Sequence, residues 1–273
     1  MKKLVGLGCS WAQGEGGYPE HIWNEYNGRV NLRGVPDEHL RPYEYENSWV
    51  NVLCRDYLQE YTPINLGIRG IGIRAAVKQL YLTDQVDWEK DEGIIILFLP
   101  GLERLGVFNN QPHAHYRYNH AWPHDHNPPK LFWQAYKEEL YGFPMICMEA
   151  MTAIVEAQVF AERYNFQFAF ANAYYLEHLP EFFQQHIGDK FTSLVHWDKY
   201  MNNDKNFFNF IEELVKLDNI LPFEYRPTSY FGHYLSLPWP PKYLTNCIHP
   251  TIEGYKVIAS LMHKFLKENN YDI

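Results

Sequence analysis

Two short stretches at opposite ends of the chain carry residue types suited to acyl transfer. Ser10 closes Gly8-Cys9-Ser10, directly after a short apolar run. His249 stands in Asn246-Cys247-Ile248-His249-Pro250, just ahead of the last helical pattern. A serine at a strand-to-helix turn exposes its hydroxyl and aims its own N–H at a developing oxyanion. A histidine held by an acceptor on its second ring nitrogen can take the serine proton. Taken singly, Ser10 is equally a helix cap and His249 an ordinary polar residue before proline.

A second chemistry is written in the histidines. His113, His115, His120, His124, Asp125 and His126 fall within one short stretch, and His-x-His and His-Asp-His are spacings from which a metal could be held. No cysteine and no helical His-x-x-x-His pair accompanies them. The favoured reading is therefore a polar loop whose histidines cap turns and stack on Tyr116, Tyr118 and Trp122. No metal and no other cofactor is expected; His113, His115, His124 and His126 are the ligand candidates if one is bound.

These residues need elements to position them. Leu4 to Gly8, Pro63 to Gly67, Gly93 to Leu99 and Phe166 to Ala171 read as short buried strands, the third apolar throughout and so expected at a sheet's centre. Helical patterns run from Ser48, a plausible N-cap, to about Tyr61, and from Gly72 to Thr83. Others span Pro144 to Tyr164, the regions near 178–187 and 206–217, and Thr251 to Glu268. Strands alternating with helices predict one α/β domain over 1–273, doubly wound and flavodoxin-like. Its mostly parallel sheet of about five strands is flanked by helices. Residues 14–47, 106–135 and 218–245 lack periodicity and read as insertions, the first as a long surface excursion. In such a sheet ligands bind beyond the carboxyl ends of the strands, which is where Ser10, the Asn65 to Gly70 loop and the Gly101 to Arg104 loop fall.

Together and in this order the motifs resemble those of the SGNH (GDSL-like) hydrolases. Gly8-Cys9-Ser10 is similar to the family's Gly-Asp-Ser block. Asn65 to Gly70 resembles its Asn-x-Gly-x-x-Gly turn, and Asn246 to Pro250 its Asp-x-x-His-Pro block. The likeness runs from Lys3 to about Phe265. It implies Ser10 as nucleophile, His249 as base, and the N–H groups of Ser10 and Gly70 in an oxyanion hole. Three positions depart from it. Cys9 replaces the aspartate before the serine; in an extended chain its side chain would point away from Ser10. Glu103 replaces the oxyanion asparagine, and an ionised carboxylate cannot donate. Arg104 or Asn172 would then be the substitute donor, or Arg104 would pair with Glu103. Asn246 replaces the triad acid: its amide can accept from the imidazole but cannot balance an imidazolium. Either a Ser–His dyad operates, or a carboxylate from elsewhere approaches His249, or catalysis has been lost.

Composition narrows the partners. The net charge is −9 with no Lys/Arg block, which argues against nucleic acid, since phosphate binding needs clustered cations. Cys9, Cys54, Cys147 and Cys247 are far apart and offer neither a zinc motif nor a disulfide framework. Leu4 to Gly8 is too short for the apolar core of an export signal, and no later run reads as a membrane span. A soluble, cytoplasmic protein without membrane attachment is expected; Gly-Cys-Ser variants of the family occur in bacteria and their viruses, which admits a viral origin. The expected activity is an SGNH-type esterase removing a small O-acyl group, O-acetyl first, from a small ester or an acylated glycan. The 21 Tyr and 8 Trp suit a sugar surface, though aromatics also fill cores. The competing readings are an inactive descendant that binds a glycan or protein, and a metal-dependent hydrolase built on the histidines.

Overall fold

The computed structural model describes residues 1–25, 37–99, 104–108, 115–119, 143–172, 184–194, 214, 217, 242–245 and 249–273. The chain opens with β1 (Lys2–Gly8), α1 (Ser10–Gln13), α2 (Glu20–Glu25), α3 (Asp37–Asn47), α4 (Trp49–Asp56), β2 (Thr62–Asn65) and α5 (Ile73–Leu82). It continues with β3 (Glu92–Leu99), β4 (Arg104–Phe108), β5 (His115–Asn119), α6 (Phe143–Arg163), β6 (Gln167–Asn172) and a last helix, α7 (Ile252–Glu268).

Four strands form a parallel sheet in the order β2-β1-β3-β6. The architecture is α/β and doubly wound, as the alternation of patterns predicts, with four sheet strands among the described residues. The chain leaves β1 toward β2, then crosses back to β3 and on to β6. The order therefore reverses at β1, and in such sheets ligands bind beyond the carboxyl ends of the strands at that reversal. Ile94 to Phe98 of β3 are fully buried, because an interior parallel strand is covered on both faces. Phe98 stacks on Trp49 of α4 and Trp11 of α1 at ring-centroid distances of 5.4 and 6.3 Å, so α1 and α4 are anchored to the middle of the sheet. β4 and β5 pair antiparallel as a separate two-stranded sheet, with β4 overlapping the start of the 106–135 insertion.

The first insertion differs from its reading as a surface excursion. It contains α2 and α3; Gly14 to Tyr18 are buried, and so are Leu40 and Glu44. The pattern hid α3 for two reasons: Pro42 lies inside the helix, and one of its inward-facing residues is a carboxylate. α4 begins at the expected cap, where the Ser48 hydroxyl accepts from the Asn51 N–H at 3.4 Å, and it ends earlier than predicted, at Asp56.

α6 corrects the reading that no later segment could pass for a membrane span. Pro144–Arg163 is long and apolar enough by length and composition, with mean hydropathy 1.3. Yet Cys147, Ala150, Ala153, Ile154, Ala157 and Ala161 along it are fully buried. Its apolar face is spent on the core, alongside α5 and the sheet. Of the regions near 178–187 and 206–217, helix is seen at 184–187, 214 and 217; the rest lies outside the described residues, as does 218–241. Cys9, Cys54 and Cys147 are buried thiols not joined in disulfides, and burial, helped by Glu60, pushes Cys54 up to about 12. Cys247 lies outside the described residues.

Candidate active site

A single residue, Cys9, separates the strand that ends at Gly8 from the helix that opens with Ser10, and Cys9 is the N-cap of α1 in extended conformation. The Cys9 carbonyl accepts from the N–H groups of Ala12 and Gln13, both at 2.9 Å, which fixes the turn. His249 arrives from the other end of the chain in a loop braced twice. Its N–H donates to the Thr245 hydroxyl at 3.1 Å, and its carbonyl accepts from the Thr245 N–H at 2.7 Å. Thr251 follows as the cap of α7, accepting from the Gly254 N–H at 3.2 Å. These constraints bring His249 Nε2 to 2.9 Å from Ser10 Oγ. With Nε2 unprotonated, the hydroxyl donates to it.

A polar network extends from this pair. Glu15 Oε2 lies 3.3 Å from His249 Nε2 and 3.1 Å from Arg69 Nε. Arg69 reaches on to Glu44 Oε1 at 2.6 Å. Glu44, 1% exposed, also accepts from Gln13 Nε2 at 2.6 Å and the Tyr18 hydroxyl at 2.5 Å. Gln13 is pinned in turn, because its Oε1 accepts from the Arg69 backbone N–H at 2.6 Å. A carboxylate buried this deeply needs such donors, since burial without them costs several kcal/mol. Burial, reinforced by Glu44, holds the Tyr18 phenol well above its ordinary range, so it stays a donor.

Backbone geometry explains how Glu15 reaches the pair. Gly14 and Gly16 flank it with φ of 106° and 98°, a left-handed region that favours glycine. A Cβ at residue 14 would come within 2.0 Å of the Glu44 carbonyl oxygen, and one at residue 16 within 2.6 Å of the Pro250 carbonyl oxygen. The segment is thus threaded between α3 and the histidine loop. The Tyr255 hydroxyl of α7 closes it by donating to the Glu15 carbonyl at 2.8 Å.

The structure brings Ser10 and His249 together from the predicted set. Gly70 takes φ 70° in the loop after β2, next to Arg69. That loop is tied to α1, since Asn65 Nδ2 donates to the Gln13 carbonyl at 3.2 Å while Asn65 Oδ1 accepts from the Gly67 N–H at 3.0 Å. Arg104 begins β4, His115 begins β5 and Asn172 ends β6, described by their backbones alone. Glu103, Asn246, His113, His120, His124, Asp125 and His126 lie outside the described residues. The expected separation of Cys9 from Ser10 is corrected: the chain turns into α1 instead of staying extended, and Cys9 Sγ lies 3.9 Å from Ser10 Oγ. Glu15, Arg69 and Glu44 were not singled out from sequence. The available signal was Gly14-Glu15-Gly16-Gly17, an acid enclosed by glycines just after the serine turn.

No protein-family description and no curated protein matches the chain. Several solved structures align with nearly all of it at low identity. The psychrotrophic esterase EstA from Pseudoalteromonas sp. is 12% identical, with 98% of each chain covered and a TM-score of 0.45. A carbohydrate acetylesterase family member from Sinorhizobium meliloti is 11% identical, covering 98% of this chain and 99% of that one, with a TM-score of 0.40. The acetylxylan esterase Axe2 from Geobacillus stearothermophilus is 14% identical, covering 99% and 95%, with a TM-score of 0.37. In this chain the parallel sheet reverses at β1, and His249 approaches Ser10 at the carboxyl end of that strand.

Proposed function

We propose that this chain is a serine ester hydrolase acting on small O-acyl groups, with an O-acetyl group on a carbohydrate as the preferred class. The observation that carries the reading is the 2.9 Å contact between Ser10 Oγ and His249 Nε2 at the carboxyl end of β1. Ser10 Oγ attacks the acyl carbonyl while His249 Nε2 accepts its proton. The N–H groups of Ser10 and Gly70 hold the oxyanion, with Arg104 or Asn172 replacing the donor that Glu103 cannot provide. The tetrahedral intermediate collapses, His249 returns the proton to the departing alcohol oxygen, and the acyl group remains on Ser10. Water, deprotonated by the same imidazole, then hydrolyses the acyl-serine. Asn246 serves as an acceptor that orients the ring. The abundance of Tyr and Trp supports a sugar as the bearer of the ester.

A fluorophosphonate label and a short-chain aryl acetate assay test the proposal. The wild type is expected to label at Ser10 and to turn over. Ser10→Ala and His249→Ala each lower kcat by about 10³-fold or more, because base and nucleophile act as one unit. A wild type that neither labels nor exceeds the Ser10→Ala background would sink the hydrolase reading and leave a binding module.

A further inference from the structure

In the block that carries His249, Asn246 stands where a carboxylate would ordinarily balance an imidazolium. We infer that Glu15 supplies that negative charge, an assignment that rests on the serine hydrolase reading above. The geometry is direct: Glu15 Oε2 stands 3.3 Å from His249 Nε2, the atom that receives the Ser10 proton.

The charge balance of the network supports the same assignment. Glu15 and Glu44 carry two negative charges and Arg69 one positive. Arg69 contacts both carboxylates, at 3.1 and 2.6 Å, and Glu44 is further occupied by Gln13 and Tyr18. Among these three described groups the formal charges leave one negative in excess, with Glu15 next to the histidine. When the Ser10 Oγ–H bond breaks, the Nε2–H bond forms and Oγ bonds to the acyl carbon, the new imidazolium offsets that excess. The proton then passes to the more basic departing alkoxide oxygen.

This arrangement differs from a triad acid in its consequences. A triad acid sits behind the ring at Nδ1 and fixes tautomer as well as charge, and replacing it by an amide costs roughly 10⁴ in rate in a serine protease. Glu15 sits on the Nε2 side and supplies charge without setting the tautomer. Its removal is therefore expected to cost less, about 10- to 100-fold in kcat, below the roughly 10²–10⁴ typical of full acid–base assistance.

Among the described residues, Glu15 from the segment after α1 faces His249 directly, Arg69 from the β2 loop through Glu15, and Glu44 from α3 through Arg69, while Tyr255 of α7 meets the Glu15 carbonyl. The test follows His249 itself. Its imidazole titration is recorded by NMR, and the acidic limb of kcat/KM by aryl acetate turnover, in wild type, Glu15→Gln and Arg69→Met. Glu15→Gln removes the carboxylate, so the imidazolium becomes harder to form and both readouts move to lower pH by about one pH unit. Arg69→Met removes the opposing cation, so both move to higher pH. In Glu15→Gln the KM stays within about twofold, because the lost interaction belongs to the transition state.

A merely structural role would lower activity in both variants without opposed displacements. An unchanged midpoint in Glu15→Gln, or displacement of both variants in the same direction, overturns the inference. The NMR titration does not depend on turnover. Opposed midpoints in a protein that fails to label at Ser10 would uphold the charge assignment and overturn the hydrolase reading alone.

Discussion

Two buried regions meet at Ser10, and they are held by opposite physics. On the sheet side, Trp11, Trp49 and Phe98 stack over β1 and β3. On the loop side, Arg69 pairs with Glu15 and Glu44, and Gln13 and Tyr18 donate to Glu44. The apolar region depends on volume: any side chain that fills the space preserves most of its stabilisation. The polar region depends on the identity of each donor and acceptor, because an unmatched buried polar group costs its full desolvation. Ser10 borrows rigidity from the first and, on the present proposal, its histidine's counter-charge from the second.

Substitutions that keep or remove volume should separate the two regions. Phe98→Ala is expected to destabilise by about 3–5 kcal/mol, read from denaturant unfolding, since it empties the slot between two tryptophans. Phe98→Leu should recover much of that loss. Glu44→Gln keeps volume and yet should cost about 2–3 kcal/mol. The reason is local: Arg69, Tyr18 and Gln13 all donate to Glu44, and an amide has one acceptor oxygen where the carboxylate has two. Gln13 cannot turn over to compensate, because its Oε1 is engaged by the Arg69 N–H. A Glu44→Gln protein as stable as wild type would erase the contrast.

The sequence exposed these regions unequally, for the same physical reason. β3 is legible as Gly93 to Leu99 because hydrophobic burial is written in residue type alone. Ser10 and His249 are legible because their chemistry attaches to short motifs at strand and helix ends. Glu15, Arg69 and Glu44 look like solvated charges, and partners from separate segments are what stabilise the burial of the two carboxylates. α3 was missed on that account: its inward Glu44 reads as a polar face, and Pro42 breaks the helical pattern. The contact of Cys9 with Ser10 is not legible in the sequence, because extended-chain alternation ends where α1 begins at Ser10.

Tyr18→Phe probes the polar region more gently. It removes one hydrogen bond to a charged acceptor, for an expected loss of about 1.5 kcal/mol at neutral pH. Its pH dependence is the sharper readout. Burial first, then Glu44, raises the Tyr18 phenol above its ordinary 10.0. Below pH 10 both folded and unfolded states keep the proton and the group adds no pH dependence. Above pH 10 the unfolded chain loses it while the folded chain does not, so stability falls as pH rises. Tyr61 and Cys54, each pushed up to about 12 chiefly by burial, act in the same direction. Tyr18→Phe should therefore flatten the alkaline decline without abolishing it; an unchanged slope would mean that Tyr18 ionises freely in the folded protein.

The smallest expected effect tests whether geometry or burial gives the network its weight. Lys256 Nζ lies 2.7 Å from Glu253 Oε1 on α7, almost the same separation as Arg69 from Glu44. Distance does not distinguish the two pairs. Solvent does: both side chains of the α7 pair are 47% exposed, while Glu44 is 1% exposed. Water and salt screen the first pair, and ordering two long side chains offsets much of its attraction. Lys256→Ala should change stability by no more than about 0.5 kcal/mol, and that difference should vanish when the unfolding is repeated in high salt. The Glu44→Gln loss should persist there. A Lys256→Ala loss as large as that of Glu44→Gln would show that ion-pair separation, not burial, sets the energetics around Ser10.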